Sequence, residues 1–389
     1  MKYKLLPILL FTTITLSAND ADTLLTHNMD ELVIVSTPKE HIALNKQPLS
    51  STTLGNSQIK QKNINNIKDL TAHIPGLFIP RYGSRLTSSI YLRGVGSRIG
   101  TPAVGMYVDD IPLANMSSMD QDLSDADRID VLRGPQGTLF GRNTIGGLIR
   151  IYTKNPMNYQ GTDLMLGAAT YNNYRTRVTH YHRPVENFAF SAGVSYEHQG
   201  GFFRNQALGG HHADRGDDLS ARWRGIFLPS DRVRLDLSAR YQWTKQGGYP
   251  YAAKEGSDAG KVAYNREGSY LRHLLTVGLN AEHQFDRAVM TSTTGFQFLK
   301  DDMFMDQDFS RQDLYSLQQK QKSKVLSEEI AIKYANKQAR ISNYWKNSIG
   351  MNKAIVDNKV VETKLAEEAA FLAWAKQIGN KEYINIVKD

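Results

Sequence analysis

The chain has 389 residues, enough for two or three domains. It contains no cysteine, which excludes a disulfide scaffold or a thiolate metal site. The 47 Lys and Arg against 39 Asp and Glu give a net charge of +8. This excess is spread over the chain without an obvious basic cluster, which argues against a nucleic-acid partner.

The first 18 residues have the pattern of a secretory signal. Lys2 and Lys4 precede an apolar stretch over residues 5–16, and small residues follow at 15–18. This arrangement predicts cleavage near Ser17 or Ala18. The apolar stretch is too short for a membrane span of ~20 residues. A buried helix is the alternative. We therefore expect an exported protein without a helical anchor.

Residues 30–37, DELVIVST, predict a short apolar strand next to a polar leader. An exposed strand of this kind can add to the sheet edge of a partner through backbone hydrogen bonds. The alternative is that it forms the first strand of the domain that follows. Its candidate coupling residues are Asp30, Glu31, Leu32, Val33, Ile34 and Val35.

Residues 38–156 predict a compact α+β domain. A helical pattern over 59–73 alternates with short strands near 89–93 and 104–108, and Gly and Pro turns separate them.

From about residue 162 the chain changes to consecutive amphipathic strands. In VRLDLSARYQWT (233–244), apolar and polar side chains alternate strictly, which indicates one apolar and one polar face. Long polar loops are expected at 199–216, 245–269 and 300–323. Short turns at one end and long loops at the other favour a membrane β-barrel over a soluble β-sandwich. The strands are expected near 162–171, 174–182, 187–198, 217–227, 232–244, 270–285, 288–299 and 324–333.

After residue 333 the period becomes helical. Apolar residues recur at helical spacing over 352–378, with Lys and Glu between them, and Gly379-Asn380 is a helix stop. We therefore predict a C-terminal α-helical segment over 334–389.

Four motifs in the first domain carry a specific resemblance. They are IPGLFIPRYGSR, SSIYLRGVGSR, AVGMYVDDIPL and DRIDVLRGPQGTLFGRNTIGGLIRIYTKNP. At these residues the chain resembles the plug of TonB-dependent outer-membrane receptors, and the resemblance extends over residues 30 to about 333. It implies an α+β plug followed by antiparallel transmembrane β-barrel strands over 160–333. DELVIVST resembles the TonB box of that family.

The glycines of these motifs suit tight turns and close backbone approach. A phosphate-binding loop is the alternative, but the run lacks a GK[ST] ending. The plug turns are expected at Gly94, Gly96, Gly134, Gly137, Gly141, Gly146 and Gly147.

Three plug arginines are candidates for pairing with carboxylates on the barrel wall. They are Arg93, Arg133 and Arg142, and the resemblance offers Glu328 and Glu329 as partners. Ordinary surface charge is the alternative for the arginines.

The resemblance implies uptake of a scarce ligand, a ferric siderophore or similar iron chelate, or a cobalamin, across the outer membrane. The implied partners are TonB with its energising complex, outer-membrane lipid and the ligand. No cofactor is implied. Loop aromatics Phe202, Phe203, Tyr249 and Tyr251 are candidate ligand contacts, with loop or interface anchors as the alternative.

The histidines are candidates for a metal site but predict none. His180 and His182 share one strand face, and His211-His212 lie in a loop. Histidines at such positions are ordinary polar residues more often than ligands.

A second resemblance begins near residue 334. ISNYWKNSIGMN and the helix after it resemble the helical region of bacterial serine dipeptidyl-peptidases. A peptidase serine needs a base within hydrogen-bond reach and an oxyanion hole. The sequence offers no nucleophile motif of that family, so we expect no enzymatic activity.

The two resemblances together suggest a chimera. The receptor family closes about twenty-two strands around its plug, whereas eight strands enclose only side chains. We therefore expect a receptor that is not competent alone, produced by a gene fusion, frameshift or misassembly. Two alternatives remain open: an exported peptidase relative reduced to a non-catalytic fragment, and a stand-alone plug-like periplasmic binding module.

Overall fold

The computed structural model describes residues 50–334 except 81–88, 99, 124, 253, 257 and 287. The signal segment, the coupling strand at 30–37 and the predicted helix of the last 55 residues lie outside the described residues. Within the described part, no helix is long and apolar enough to cross a membrane.

The N-terminal domain (residues 50–156) is built around a five-stranded sheet with the order β1-β7-β8-β5-β6. β8 lies at its centre, antiparallel to β7 and parallel to β5. Its strands are β1 (Ser50–Gly55), β5 (Val104–Val108), β6 (Ile111–Pro112), β7 (Ala126–Arg133) and β8 (Gly147–Thr153). A smaller sheet joins β2 (Leu77–Phe78), β3 (Tyr91–Leu92) and β4 (Val95–Gly96).

The core of this domain is apolar, as the near-continuous hydrophobic strands predict. Leu70, Leu92, Ile129, Val131 and Ile149 are at most 1% exposed and belong to one hydrophobic cluster. The helical pattern expected over 59–73 divides into two pieces, α1 (Asn56–Gln61) and a 3₁₀ helix (Ile67–Ala72).

A capping box explains that division. The Asn66 side chain accepts from the Lys68 N–H, and Asp69 accepts from the Asn66 N–H. These bonds satisfy backbone donors at the start of the 3₁₀ helix, so a new helix begins there instead of continuing α1.

Eight antiparallel strands form the large sheet, each paired with its neighbour in chain order. The predicted amphipathic strands are thereby confirmed. They are β9 (Gly161–Ala169), β10 (Asn173–Val185), β11 (Phe188–Gln199), β12 (Gly216–Ser230), β13 (Val233–Gln246), β14 (Ser269–Gln284), β15 (Ala288–Asp306) and β16 (Ser316–Tyr334).

The three long connections of the large sheet lie at one end, because every second connection between consecutive antiparallel strands falls at the same end. The short β9–β10 turn lies at that end too, and the other tight turns lie at the opposite end. Residues 200–215, 247–268 and 307–315 make the long-loop end. The expected loop over 300–323 was wrong, since β15 and β16 extend into it and pair from Asp306↔Ser316 onward. The segments LKDDMFMD (299–306) and SLQQKQKS (316–323) contain runs of consecutive polar residues, and these runs resembled a loop.

The large sheet exposes its apolar face and buries its polar face. Leu164, Leu166, Leu326 and Ile332 are 67–73% exposed. The opposite face is covered by the N-terminal domain. In a water-soluble sheet the apolar face would be the covered one, so this inversion indicates that the outward face meets an apolar medium.

We predict that Gly147→Ala destabilises the N-terminal domain. Gly147 has φ 145°, and a Cβ there would lie 2.3 Å from Leu92 Cδ2 and 2.4 Å from the Leu132 carbonyl oxygen. The backbone oxygen cannot move aside, so we expect a loss of about 2–4 kcal/mol in the free energy of unfolding.

Denaturant unfolding of the full chain in detergent measures this loss. Gly137→Ala is the matched control, because a Cβ there meets no atom within 4 Å. Equal stability of the two variants would contradict the described packing around Gly147.

Candidate functional site: the interface between the N-terminal domain and the large sheet

The inward face of the large sheet carries charged and polar side chains that the N-terminal domain covers. Because side chains alternate along a strand, every second residue of β12 to β15 points at that domain. These residues are 1–9% exposed: Arg222, Asp236, Gln242, Thr244, Arg272, Thr293, Gln297 and Asp301. Burial of so many polar groups requires partners on the facing domain.

Two arginines of the sheet pair with two aspartates that lie just before β7 in the chain. Arg222 Nη1 lies 3.4 Å from Asp122 Oδ2 and 3.3 Å from Asp125 Oδ1. Arg240 Nη2 lies 3.2 Å from Asp125 Oδ2. Burial alone would raise the pKa of Asp125, but the guanidinium groups of Arg222 and Arg240 outweigh it and lower that pKa.

A second group centres on Arg224, which links strand and domain. Its Nε and Nη2 donate to the two Asp236 oxygens at 2.9 and 2.8 Å, a planar fork-to-fork pair. Its Nη1 lies 3.2 Å from Asp109 Oδ1 and 2.8 Å from Thr153 Oγ1. Asp236 therefore fixes the arginine on the sheet, and the remaining donor binds the N-terminal domain.

The local backbone explains why an aspartate lies at position 109. Asp109 and Asp110 join β5 to β6 with φ of 48° and 67°. Two consecutive positive φ values make a type I′ hairpin turn, which Asp tolerates better than most residues. The hairpin thus presents the Asp109 carboxylate, which also accepts from the Thr153 N–H at 2.9 Å, toward Arg224.

Hydrogen bonds to uncharged acceptors extend the interface along the sheet. Arg272 donates to the carbonyl oxygens of Ser117 and Asp120. Asn280 Nδ2 donates to the Asp109 carbonyl at 2.9 Å. The Ala114 N–H donates to Gln297 Oε1 at 3.2 Å.

Two glycines of the sheet make room for the β5–β6 hairpin. Gly278 and Gly295 are directly opposite each other on β14 and β15. A Cβ on Gly278 would lie 2.4 Å from Ile111 Cγ1, and one on Gly295 would lie 3.0 Å from Ile111 Cγ2. Ile111 therefore packs onto bare backbone of the sheet, a contact that any larger residue would displace.

Two small cavities remain inside the interface. One of about 30 Å³ is lined by Asp109, Asp125, Arg222, Arg224 and Arg240 among others. The other, of about 40 Å³, is lined by Asp122, Arg177, Ser195 and Arg272 among others. Each has room for two or three water molecules.

At the long-loop end, the N-terminal domain approaches the loops of the large sheet. Tyr249 and Tyr251 stack at 6.0 Å between ring centroids, and Phe309 meets Tyr251 edge-on at 5.3 Å. Burial raises the pKa of Tyr251, and the charge of Arg98 from the N-terminal domain opposes that rise. We call Arg98, Tyr249, Tyr251 and Phe309 the apex cluster.

The other candidate loop aromatics form a separate group. Phe202 meets Tyr171 at 4.9 Å and Phe203 at 5.2 Å between ring centroids, all three exposed. His180 and His182 stack on the outward face of β10. Among the described residues, no group of three or more His, Asp or Glu could hold a metal ion.

The structure places the predicted interface arginines at the edge of the N-terminal domain. Arg133 donates to the carbonyl oxygens of Pro75 and Ser51, both in that domain, at 3.3 and 3.1 Å. The Arg93 N–H donates to the Gly76 carbonyl at 2.7 Å. Arg142 is exposed.

The predicted acidic partners lie on opposite faces of β16. Glu328 accepts from the hydroxyls of Ser292 and Thr294 on the outward face. Glu329 points inward, where its charge and that of Arg142 act oppositely on Tyr107. Burial and then Glu329 raise the pKa of Tyr107 to about 12. Pairing of the three arginines with Glu328 and Glu329 stays a prediction.

Most of the predicted plug-turn glycines lie in the connections next to β4, β7 and β8, and Gly96 and Gly147 lie in β4 and β8 themselves. Four have positive φ: Gly94, Gly134, Gly141 and Gly147. The other three have ordinary φ; a Cβ on Gly96 would meet the Tyr91 ring, one on Gly146 would meet Val95 and Val104, and one on Gly137 would meet nothing.

Comparison with known proteins confirms both resemblances. Residues 43–148 match the TonB-dependent Receptor Plug Domain family, and residues 289–389 match the Peptidase S46 family. The large sheet thus consists of antiparallel strands like those of a TonB-dependent receptor barrel.

The individual relatives divide in the same way. The pesticin receptor of Yersinia pestis is 32% identical over 156 residues, which are 39% of this chain and 23% of that protein. Dipeptidyl-peptidase 7 of Phocaeicola vulgatus is 56% identical over 68 residues, 18% of this chain and 9% of that protein. The chain therefore spans less than a quarter of the length of these curated relatives.

A solved structure supports the fold over a longer stretch. The ferric yersiniabactin uptake receptor FyuA from Yersinia pestis superimposes with a TM-score of 0.63 at 22% identity. The match covers 74% of this chain and 46% of that receptor.

We predict that the Asp125 ion pairs stabilise the interface above acidic pH. A lowered pKa means that the contribution is fully present above the ordinary Asp value of about 3.9. It is lost as the pH falls through the lowered folded-state pKa. Asp125→Asn should cost about 3–5 kcal/mol of unfolding free energy at pH 7, because it removes the carboxylate that pairs with Arg240 and one of the two that pair with Arg222.

Denaturant titrations of the full chain in detergent at neutral and acidic pH measure this. Asp313→Asn is the control, since Asp313 pairs with Arg266 where both side chains are about half exposed, and such pairs contribute about 0–1 kcal/mol. A loss at pH 7 no larger than that of the control would refute the role of Asp125.

Proposed function

We propose that residues 50–334 act as the plug and eight wall strands of a TonB-dependent uptake receptor in the outer membrane. The observation that carries this is the inverted sheet: its polar face is buried against a domain that matches the plug family, and its apolar face is exposed. A soluble binding module would need neither feature.

The two end strands of the large sheet need partners if the sheet spans a membrane. Among the described strands, β9 and β16 each pair with one neighbour and lie at the two ends of the strand order. Unpaired backbone groups in hydrocarbon cost several kcal/mol each. We infer that the transport-competent form has further strands that pair with β9 and β16, and that these 389 residues are not competent without them.

The ligand class we propose is an iron chelate of the ferric siderophore kind, with a cobalamin as the alternative. The apex cluster supports a bulky ligand, because the partly exposed rings of Tyr251 and Phe309 meet there and the exposed Arg98 is near enough for its charge to act on Tyr251. Tyr249 is 2% exposed and anchors the stacked pair to the core. Aromatic faces give large contact area, and Arg98 favours an anionic group.

We propose that residues 30–37 couple the plug to TonB through strand addition. The pull would reach β1 first, because it begins at Ser50 and forms the edge of the five-stranded sheet. β1 is held to β7 by six residue pairs from Ser50↔Arg133 to Gly55↔Arg128. An edge strand pulled from its end can separate one pair at a time, which requires less force than breaking all pairs together.

The peptidase match supports no second activity. It covers 9% of dipeptidyl-peptidase 7, and helices alone do not activate a serine hydroxyl. We propose that the chain is not an enzyme.

A crosslinking experiment tests the proposed coupling. The chain has no cysteine, so Val33→Cys introduces a single thiol into 30–37. We expect a disulfide crosslink with a cysteine variant of TonB in envelopes of expressing cells. Ser57→Cys, on α1 of the N-terminal domain, is the control and should give none.

Two further outcomes bear on this proposal. Val33→Pro removes the backbone N–H that strand addition needs, and should abolish a crosslink made through a neighbouring Ile34→Cys. A crosslink that survives Val33→Pro, or equal crosslinking of the Val33 and Ser57 variants, would overturn coupling by strand addition.

A further inference from the structure

The outward face of the large sheet has a basic patch at its long-loop end. Four lysines share this face: Lys300 on β15, and Lys320, Lys322 and Lys324 on β16. All four are exposed. The sequence did not reveal the patch, because Lys300 is twenty or more positions away from the other three and only the sheet register brings them together.

The register places two of these lysines directly opposite each other. Lys300 pairs with Lys322, while Lys324 and Lys320 pair with Phe298 and Asp302 on either side. Like charges that face each other across neighbouring strands destabilise a sheet. Asp302 lies 3.7 Å from Lys320, and among the described residues it is the carboxylate that partners this patch. The patch thus carries excess positive charge that an external anion would neutralise.

The patch borders an apolar band. Moving away from the long loops, the row after Lys300 and Lys322 contains Lys324 beside Phe298, Leu275 and Tyr241. The row after that is apolar and contains Phe296, Val277 and Leu326. From the Tyr241 row to the Val233 row is eight residues, about 27 Å along a strand at ~3.4 Å per residue. With a strand tilt of ~40°, this corresponds to about 20 Å of membrane depth, close to the band of barrel proteins.

The row that contains Lys300 and Lys322 is also an interfacial row. Across the sheet, Lys300 is in register with His273, and His273 with Trp243. The Tyr241 hydroxyl lies 2.8 Å from His273 Nδ1. Trp and Tyr concentrate where hydrocarbon gives way to head groups. Lys300, Lys320 and Lys322 therefore lie at the depth of the head groups of the leaflet nearest the long loops, and Lys324 lies one row closer to the apolar band, opposite Phe298.

We propose that Lys300, Lys320, Lys322 and Lys324 bind the phosphate groups of anionic lipid in that leaflet. Four ammonium groups within about 14 Å along β16 suit a head group with more than one phosphate, since residues four apart are separated by about that distance. The inference rests on the proposed outer-membrane location, because it requires the outward face to meet lipid.

A different role for lysines applies to part of the patch only. Lysine on an edge strand prevents sheets from pairing edge to edge, and β16 is at the end of the strand order among the described residues. That role does not explain Lys300, which lies on β15 between two paired neighbours.

The test compares lipid retention by charge variants. The full chain is purified in neutral dodecyl maltoside micelles with diphosphoryl lipid A, and bound lipid A is counted by native mass spectrometry. For Lys300→Gln/Lys322→Gln/Lys324→Gln we expect affinity to fall about 100-fold, the loss expected for three lysines beside an anionic surface. The corresponding triple arginine variant should retain the lipid, which separates charge from folding.

The control variant removes the same charge elsewhere. Lys62→Gln/Lys254→Gln/Lys261→Gln changes three exposed lysines outside the patch, and should bind lipid A as the unchanged chain does. Excess inorganic phosphate should not displace the lipid; displacement would show a site for free phosphate instead. Equal retention by both glutamine variants, or no retention by the unchanged chain, would overturn the proposal.

The same preparations distinguish this proposal from the proposed function. Loss of lipid binding with an intact TonB crosslink would overturn the lipid site alone. Absence of the crosslink with retained lipid A would overturn the coupling and leave the lipid site standing.

Discussion

Charge buried between the N-terminal domain and the large sheet is the constraint on which the rest of the structure depends. A guanidinium taken out of water needs a carboxylate or carbonyl partner. Arg222, Arg224 and Arg240 project from the sheet, and Asp109, Asp122 and Asp125 meet them from the domain. Without the other part, the arginines of the sheet and the aspartates of the domain would each lose their ion-pair partners.

These buried ion pairs fix the position of the domain on the sheet more than they increase the free energy of unfolding. A buried ion pair recovers little more than the desolvation that it costs, but removal of one partner is strongly unfavourable. The ionic contacts therefore fix where the domain sits against the sheet, and the apolar core of the domain supplies its own stability. The small cavities beside Arg222 and Arg272 have room for water next to these contacts. Such an interface can be rearranged in steps, pair by pair.

The sequence predicted the strands of the large sheet well because their signal is local. Alternation in VRLDLSARYQWT defines two faces without knowledge of any neighbour, and β13 begins at Val233 as expected. The family motifs likewise located the N-terminal domain. The predicted loop over 300–323 was wrong because polar residues occur both in loops and in strands outside the membrane. The polar residues after Lys300 belong to strands that extend beyond the apolar band.

The interface itself could not be predicted in the same way. The arginines that bridge the two parts lie on the sheet and the aspartates on the domain, the reverse of the expected polarity. Arg222, Arg224 and Arg240 are on the polar positions of their strands and can be recognised in the sequence. Their aspartate partners are about 100 residues away, and only the fold brings them together. Gly278 and Gly295 gave no signal, because a glycine in a strand does not reveal which side chain needs the space.

The structure also bears on the junction between the two resemblances. The Peptidase S46 match begins at residue 289, whereas β15 and β16 pair in one continuous register from Ala288↔Tyr334 to Asp306↔Ser316. Residues 289–334 thus serve as receptor-like strands in this fold. The predicted helical segment lies outside the described residues, and its boundary near residue 334 stays a prediction.

The direct test of the account is the environment of the outward face. A nitroxide attached to Leu237→Cys in the otherwise cysteine-free chain reports collisions with oxygen, which dissolves in hydrocarbon, and with a water-soluble nickel chelate. In detergent or membrane preparations, we expect high oxygen and low nickel accessibility at Leu237→Cys, and the opposite at Asp313→Cys in a loop. Equal nickel accessibility at the two positions would show that the apolar face meets water, and the proposed membrane location of the large sheet would be wrong.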